Sequence, residues 1–213
     1  MANKITNPNY RKFLDEGIME FVTEEQLKEA LSNIKEKQRK QGRALLIILY
    51  YTGARPKEIL YIKANDILKE GSFITIKIMG AKRGLTRKVY LQYKKSLIKE
   101  LWNYVTTLPP EMFLFHSFKN TYVRSKQVKS GEIKQYVEET DKIRYYIFKW
   151  FKGVIPGSIT PYFLRHNRFS KLSEAGATMQ QIRQMKGSKS MKSILPYIHL
   201  SSESAKKLAR KIE

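Results

Sequence analysis

The chain has 213 residues, 42% of them hydrophobic, with 41 Lys and Arg against 19 Asp and Glu and a formal net charge of +22. That is enough apolar material for a packed core and more positive charge than solubility requires, so a polyanion is the expected partner, nucleic acid ahead of a membrane surface. No cysteine and three scattered histidines exclude disulfides, cysteine-based zinc sites and a cysteine nucleophile, and no metal or cofactor is expected; no apolar run reaches the ~18 residues of a membrane span and residues 1–9 lack the apolar stretch of a secretory signal, so a cytoplasmic location is expected.

Residues 1–22 show weak periodicity and read as a lead-in. Thr23-Glu-Glu-Gln is a capping box, and Leu27, Leu31 and Ile34 share one face of the helix it opens. A wholly apolar helix from Ala44 to Tyr51 stops at Gly53, and Pro56 suits the first turn of another running to Ile62. Arg55 therefore projects from a tight junction between two packed helices. From Phe73 to Leu91, β-rich residues flank a turn at Gly80 to Gly84, which predicts a hairpin. Seven basic and no acidic residues between Lys77 and Lys95 would lay it along DNA, although a charged edge strand that resists aggregation accounts for some of those lysines too.

A helix near Lys94 to Thr106 follows, then a break at Pro109-Pro110 and a candidate third strand at Phe113 to Phe115, while residues 117–139 are ambiguous. Ile143, Ile147, Trp150 and Phe151 mark an amphipathic helix. Thr160-Pro161 starts a helix that runs to Gly176, and Thr178-Met-Gln-Gln is a second capping box with a short helix to Met185. Between Lys142 and Ser202 the only acidic residue is Glu174, so this third of the chain presents one basic surface. The predicted organisation is a lead-in over 1–22, one domain over 23–200 and a tail helix over 201–213. The expected fold class is mainly α with a small antiparallel β-sheet (α+β).

Four segments each place a basic or nucleophilic residue beside a glycine or a helix start, where phosphate can approach: Arg55, Lys82, Arg165 and Tyr197. Cutting a phosphodiester without metal needs a nucleophile, fixed positive charge for the phosphorane, and an acid for the leaving 5′ oxygen. Two arginines supply permanent bidentate charge, a lysine can donate a proton and a tyrosine can attack.

The segment Thr52-Gly-Ala-Arg-Pro-Lys-Glu, with Asp66 eleven positions after Arg55, resembles the first-arginine box of tyrosine recombinases. Gly80-Ala-Lys-Arg-Gly-Leu-Thr-Arg-Lys-Val-Tyr-Leu resembles that family's hairpin, with Lys82 at its catalytic lysine, and Thr160-Pro-Tyr-Phe-Leu-Arg-His followed by Glu174-Ala-Gly resembles the second-arginine box. Lys186-Gly-Ser through Tyr197 keeps the spacing from the glycine of the Leu-Gly-His motif to the nucleophilic tyrosine. The likeness covers about residues 20–200 and is nearer to integrases of archaeal viruses and plasmids than to bacterial Xer proteins.

The resemblance implies that Tyr197 attacks the scissile phosphate to give a 3′-phosphotyrosyl intermediate, with Arg55 and Arg165 on the non-bridging oxygens and Lys82 protonating the leaving oxygen. It implies double-stranded DNA as substrate and a tetramer on DNA, with a monomer possible in free solution and an N-terminal core-binding domain either removed or naturally missing. Two positions depart from the family. Tyr162 replaces the histidine of His-x-x-Arg, three residues before Arg165, where a phenol of pKa ~10 positions by hydrogen bonding rather than shuttling protons. Ser188 replaces the His or Trp after the glycine, with Lys186 and Lys189 as neighbours able to take over part of its role.

Several assignments stay open on the residues alone. Arg83 or Lys88, rather than Lys82, could be the hairpin residue that matters. Tyr197 could be one half-buried aromatic among 13 tyrosines. Glu58 braces either an active-site basic residue or exposed Lys57 or Lys63. His166 and His199 are structural or phosphate-adjacent. The rival functions are a type IB topoisomerase-like enzyme and a non-catalytic DNA-binding protein of the same fold.

Overall fold

The computed structural model describes residues 22–34, 39–80, 85–115, 123–127, 133–137 and 160–197. Helix α1 (Glu24–Ser32) opens on the capping box expected of it: Thr23 Oγ1 accepts from the Gln26 N–H, and Gln26 Oε1 accepts from the Thr23 N–H. Helix α2 (Arg39–Thr52) carries the centre of the core, with Leu46, Ile47, Ile48 and Leu49 fully buried. Each such side chain stabilises the fold by about 1.5–3 kcal/mol relative to exposure.

At the end of α2, Thr52 Oγ1 donates to the Ile48 carbonyl and accepts from the Ala54 N–H, and Gly53 turns the chain with φ +61°. A Cβ on Gly53 would meet the Phe169 ring at 3.1 Å and Arg168 Cβ at 3.2 Å. Both the positive φ and the close approach therefore require glycine.

Helix α3 spans only Pro56–Ile59, short of the expected Ile62. The Ile62 carbonyl accepts the Leu114 N–H at 3.0 Å, and Lys63 forms an antiparallel bridge with Phe113, so pairing with a distant segment draws the chain out of the helix. Asp66 caps the following 3-10 turn by accepting from the Lys63 N–H at 3.0 Å.

Strands β1 (Ile67–Glu70), β2 (Phe73–Ile78) and β3 (Arg87–Gln92) form a three-stranded antiparallel sheet in that order. The hairpin is as expected. The third strand is Ile67–Glu70 rather than Phe113 to Phe115, which makes the single bridge to Lys63. Ile74, Ile76, Ile78, Val89 and Leu91 point inward. Helix α4 (Ser96–Val105) packs against α2, and β4 (Val123–Gln127) pairs with β5 (Ile133–Val137) within the segment whose sequence is ambiguous.

Helix α5 (Pro161–Glu174) starts at Thr160, whose hydroxyl accepts the Phe163 N–H at 3.1 Å, and it packs along α2. Helix α6 (Met179–Lys186) opens on the Thr178 capping box and ends at Gly187, which adopts φ +66°. A 3-10 turn over Leu195–Tyr197 returns the chain to α5. The overall architecture matches the expected helical fold with a small antiparallel sheet. Residues 1–21 of the lead-in, the helix around Ile143 to Phe151, Lys82, Arg83, His199 and the tail helix lie outside the described residues.

Candidate active site

Glu58 organises the site. Its carboxylate has no solvent exposure, and three arginines from three separate elements converge on it. Arg55, at the turn before α3, gives Oε2 its backbone N–H at 2.9 Å and Oε1 its Nη1 at 2.8 Å. Arg87, the first residue of β3, donates Nη2 to Oε2 at 2.8 Å, and Arg165 Nη1 of α5 lies 4.0 Å from the same oxygen.

Glu58 thus braces the arginine cluster, while Lys63 pairs with Glu111 at 2.7 Å. Burial pushes the Glu58 carboxyl up, but the Arg87 guanidinium, the Arg55 N–H and the Arg165 charge outweigh it and hold it below the ordinary glutamate range. One negative charge against three positive ones leaves the cluster short of an anion.

The arginines are not equivalent. The Arg55 side chain is 33% exposed, whereas those of Arg87 and Arg165 are 4% exposed. Arg165 donates Nη1 to the Gly53 carbonyl and Nη2 to the Lys186 carbonyl at 2.9 Å, joining the end of α2 to the end of α6. Burial, then the Arg55 charge, lowers its guanidinium to about 10, which leaves it fully charged at neutral pH. Arg87 Nε and Nη1 are buried without a hydrogen-bond partner.

A Cβ at Gly187 would lie 2.8 Å from Arg87 Nη1 and 2.9 Å from the Leu85 carbonyl. The Leu85 N–H also donates to the Gly187 carbonyl at 3.2 Å. The start of β3 is therefore docked on the end of α6 at Leu85 and Arg87.

Tyr197 lies beside this cluster and is 3% exposed. Its ring lies against His166, tilted by 34° with 5.0 Å between centroids, and meets Phe169 edge-on at 5.7 Å, and the Arg165 guanidinium covers the Phe169 ring at 4.9 Å. Lys186 Nζ lies over the Tyr197 ring, 4.5 Å from its centroid, and donates to the Ser193 carbonyl. Ser188 Oγ is 2.7 Å from Ser193 Oγ and accepts from the Ser190 N–H at 3.3 Å, so it ties the loop that leads to Tyr197. Tyr162 stands half-buried in the first turn of α5, one turn before Arg165.

The structure thus brings Arg55, Arg165, Ser188 and Tyr197 into one neighbourhood, adds Arg87, which the sequence reading did not place there, and sets Lys186, read as a neighbour of Ser188 able to take over part of its role, and His166, read as structural or phosphate-adjacent, against the Tyr197 ring. Arg87 had a visible signal, since it alternates in phase with inward-facing Val89 and Leu91. Lys186 stands where the Leu-Gly-His motif has leucine. His166 was only flanking in the sequence. Here burial, followed by the Lys186 and Arg165 charges, depresses its imidazole to about 4, so it is neutral against Tyr197 at physiological pH.

The family model described as "Phage integrase family" matches residues 20–204. The chain belongs to the phage integrase family. It is 26% identical over 208 residues to tyrosine recombinase XerA of Pyrococcus furiosus, covering 96% of this chain and 64% of that protein. It is 24% identical over 216 residues to XerC of Leptospira interrogans, covering 99% and 63%. The archaeal relative fits the archaeal likeness of the motifs, and the chain spans somewhat under two thirds of the length of these relatives.

Among solved structures, XerA recombinase superposes with a TM-score of 0.60 at 20% identity, covering 92% of this chain and 66% of that one. The pre-cleavage complex of XerH recombinase with its difH substrate gives 0.55 at 22% identity, covering 91% and 54%. These likenesses establish the fold.

Proposed function

We propose that this chain is the catalytic region of a site-specific DNA recombinase that cleaves and rejoins duplex DNA through Tyr197. The observation that carries the reading is the anion-deficient cluster of Arg55, Arg87 and Arg165 around Glu58, with Tyr197 packed beside it. A scissile phosphodiester supplies the missing negative charge, and the charge that grows on the phosphorane is met by donors already held in place. Exposed Arg55 grips a non-bridging oxygen, and Arg165 fixes the phosphate end of α5. Tyr197 Oη attacks phosphorus, the P–O5′ bond breaks, and Lys82 protonates the leaving oxygen. Tyr162 and Ser188 add hydrogen bonds.

The bond energy is kept in the 3′-phosphotyrosyl adduct, so a 5′ hydroxyl from a second duplex reverses the step without ATP or metal. Relatives named as recombinases, one of them solved on its DNA substrate, support double-stranded DNA as the partner, and a tetramer assembled on two duplexes is the form such exchange requires. The exposed face of the hairpin supports the same partner. Lys77 and Lys88 are directly opposed across β2 and β3, a like-charge pair that a phosphate backbone would relieve.

The test is covalent capture. A randomised pool of nicked suicide duplexes is incubated with the protein in EDTA, adducts are recovered under denaturing conditions, and the bound sequences are amplified. Metal-independent adducts that Tyr197→Phe abolishes and Arg55→Ala reduces by about 10²-fold or more are expected. DNA binding without any adduct would identify a non-catalytic DNA-binding protein. Relaxation of supercoils with no exchange between two duplexes carrying the selected site would identify a topoisomerase-like enzyme.

A further inference from the structure

Tyr162 occupies the position where the family usually has histidine and Ser188 the position where it has His or Trp, so a different set of described groups surrounds the proton of the nucleophile. His166, although packed against Tyr197, is held neutral far below physiological pH and is a weak base. Lys186 is different. It is 7% exposed at a position where the family motif has an apolar leucine, and its amine is held over the Tyr197 ring by the Ser193 carbonyl.

A buried lysine costs stability unless its charge is paired. The described charged and polar groups near this amine are Arg165 and His166 from α5, Arg55 from the turn before α3, Ser188 and Ser193 from the loop, and Tyr197 itself. Among these described groups there is no carboxylate.

We infer that Lys186 is the proton acceptor for Tyr197. The inference rests on the proposed phosphotyrosyl chemistry and adds a residue to it. In the forward step the Tyr197 Oη–H bond breaks and its proton passes to the lone pair of neutral Lys186 Nζ. An oxygen lone pair forms the Oη–P bond, the P–O5′ bond breaks, and O5′ takes a proton from the general acid, for which Lys82 stands. In religation the Lys186 ammonium returns its proton to Oη.

Burial first, and then the Arg165 and Arg55 charges, lower the Lys186 amine to about 8, so a usable fraction is neutral at physiological pH. The Arg165 bond to the Lys186 carbonyl keeps this base in register with the phosphate grip.

The experiment compares wild type, Lys186→Met and Lys186→Arg in single-turnover cleavage of a suicide duplex from pH 6 to 10. Wild-type cleavage should rise with pH and level off above about 8. Lys186→Met should be slower by about 10²-fold and lack that rise, while its urea midpoint stays level or increases because a buried charge is gone. Lys186→Arg keeps charge without a titrating lone pair and should be as slow as the methionine variant.

A substrate with sulfur in place of the bridging 5′ oxygen needs no proton on its leaving group, so the Lys186→Met defect should persist there. Wild-type rates in Lys186→Met, rescue by arginine, rescue by the sulfur substrate, or a defect explained by unfolding would each overturn the inference.

A measurement without DNA separates this inference from the proposed function. After reductive methylation with 13C, the lysine signal missing from Lys186→Arg should titrate near pH 8 and shift in Tyr197→Phe. An ordinary lysine midpoint with no response to Tyr197 overturns the inference even if the enzyme cleaves DNA. Absence of any covalent adduct instead overturns the proposed function.

Discussion

Replacing Glu58 by glutamine keeps the shape of the side chain and removes the one negative charge among three arginines. The Arg87–Glu58 pair is buried at both ends, 4% and 0% exposed, with 2.8 Å between Nη2 and Oε2. The Coulomb attraction at this range is about 6 kcal/mol at an effective dielectric of about 20. Removing one partner of such a buried pair costs about 3–5 kcal/mol, because the other charge is left uncompensated.

Measured by urea unfolding in low-salt buffer, Glu58→Gln should lose about 3–5 kcal/mol, a large part of the about 5–15 kcal/mol that holds a typical domain together. Sulfate should restore more stability to the variant than to wild type, since an added anion takes the vacated role. In a double-mutant cycle with Arg87→Met, the coupling should reach about 2 kcal/mol or more. The sign with pH follows from the lowered Glu58 carboxyl: its stabilisation is complete above the unfolded value of about 4.3 and is lost as pH falls through the lower folded value. A variant within about 1 kcal/mol of wild type, with no added response to sulfate, would refute the view that Glu58 neutralises buried arginines.

Three further outcomes follow from the same geometry. Gly187→Ala meets Arg87 Nη1 at 2.8 Å and the Leu85 carbonyl at 2.9 Å, and adds strain at φ +66°; it should cost at least about 1 kcal/mol and reduce adduct formation more than duplex binding, as read by capture and by fluorescence anisotropy. His166, about 4 when folded against 6.5 ordinarily, binds more protons unfolded than folded in that window, so stability should fall by about 2 kcal/mol from pH 7 to pH 5; urea titrations of His166→Asn should lack that component. Lys77→Ala and Lys88→Ala should each lower the slope of log affinity against log salt by about 1 where the lysine neutralises a phosphate, leaving single-turnover cleavage at saturating DNA unchanged.

Local signals in the sequence were sufficient where the deciding contacts lie within a few residues. The capping boxes at Thr23 and Thr178, the stop at Gly53, the hairpin and the start of α5 at Thr160 all formed as read, because each needs only a hydroxyl, a glycine or an alternating pattern close by. Helix α3 ended early and the sheet's third strand came from Ile67–Glu70, because pairing with residues near Phe113 and with β2 is nonlocal. The ordered motifs made Arg55, Arg165 and Tyr197 legible, since family chemistry ties residue type to spacing.

What the chain's order could not express is which charges share a carboxylate and which amine covers the Tyr197 ring. Arg87 meets Glu58 across 29 positions, and Arg165 meets the Gly53 carbonyl across 112. Lys186 lies on the Tyr197 ring only because Gly187 ends α6 in a left-handed turn and Ser193 fixes the returning loop. The sequence by itself determined the residue types, the charge and the helical frame. The tertiary structure decided that one buried carboxylate leaves three arginines short of an anion, because only packing removes the water that would otherwise screen them.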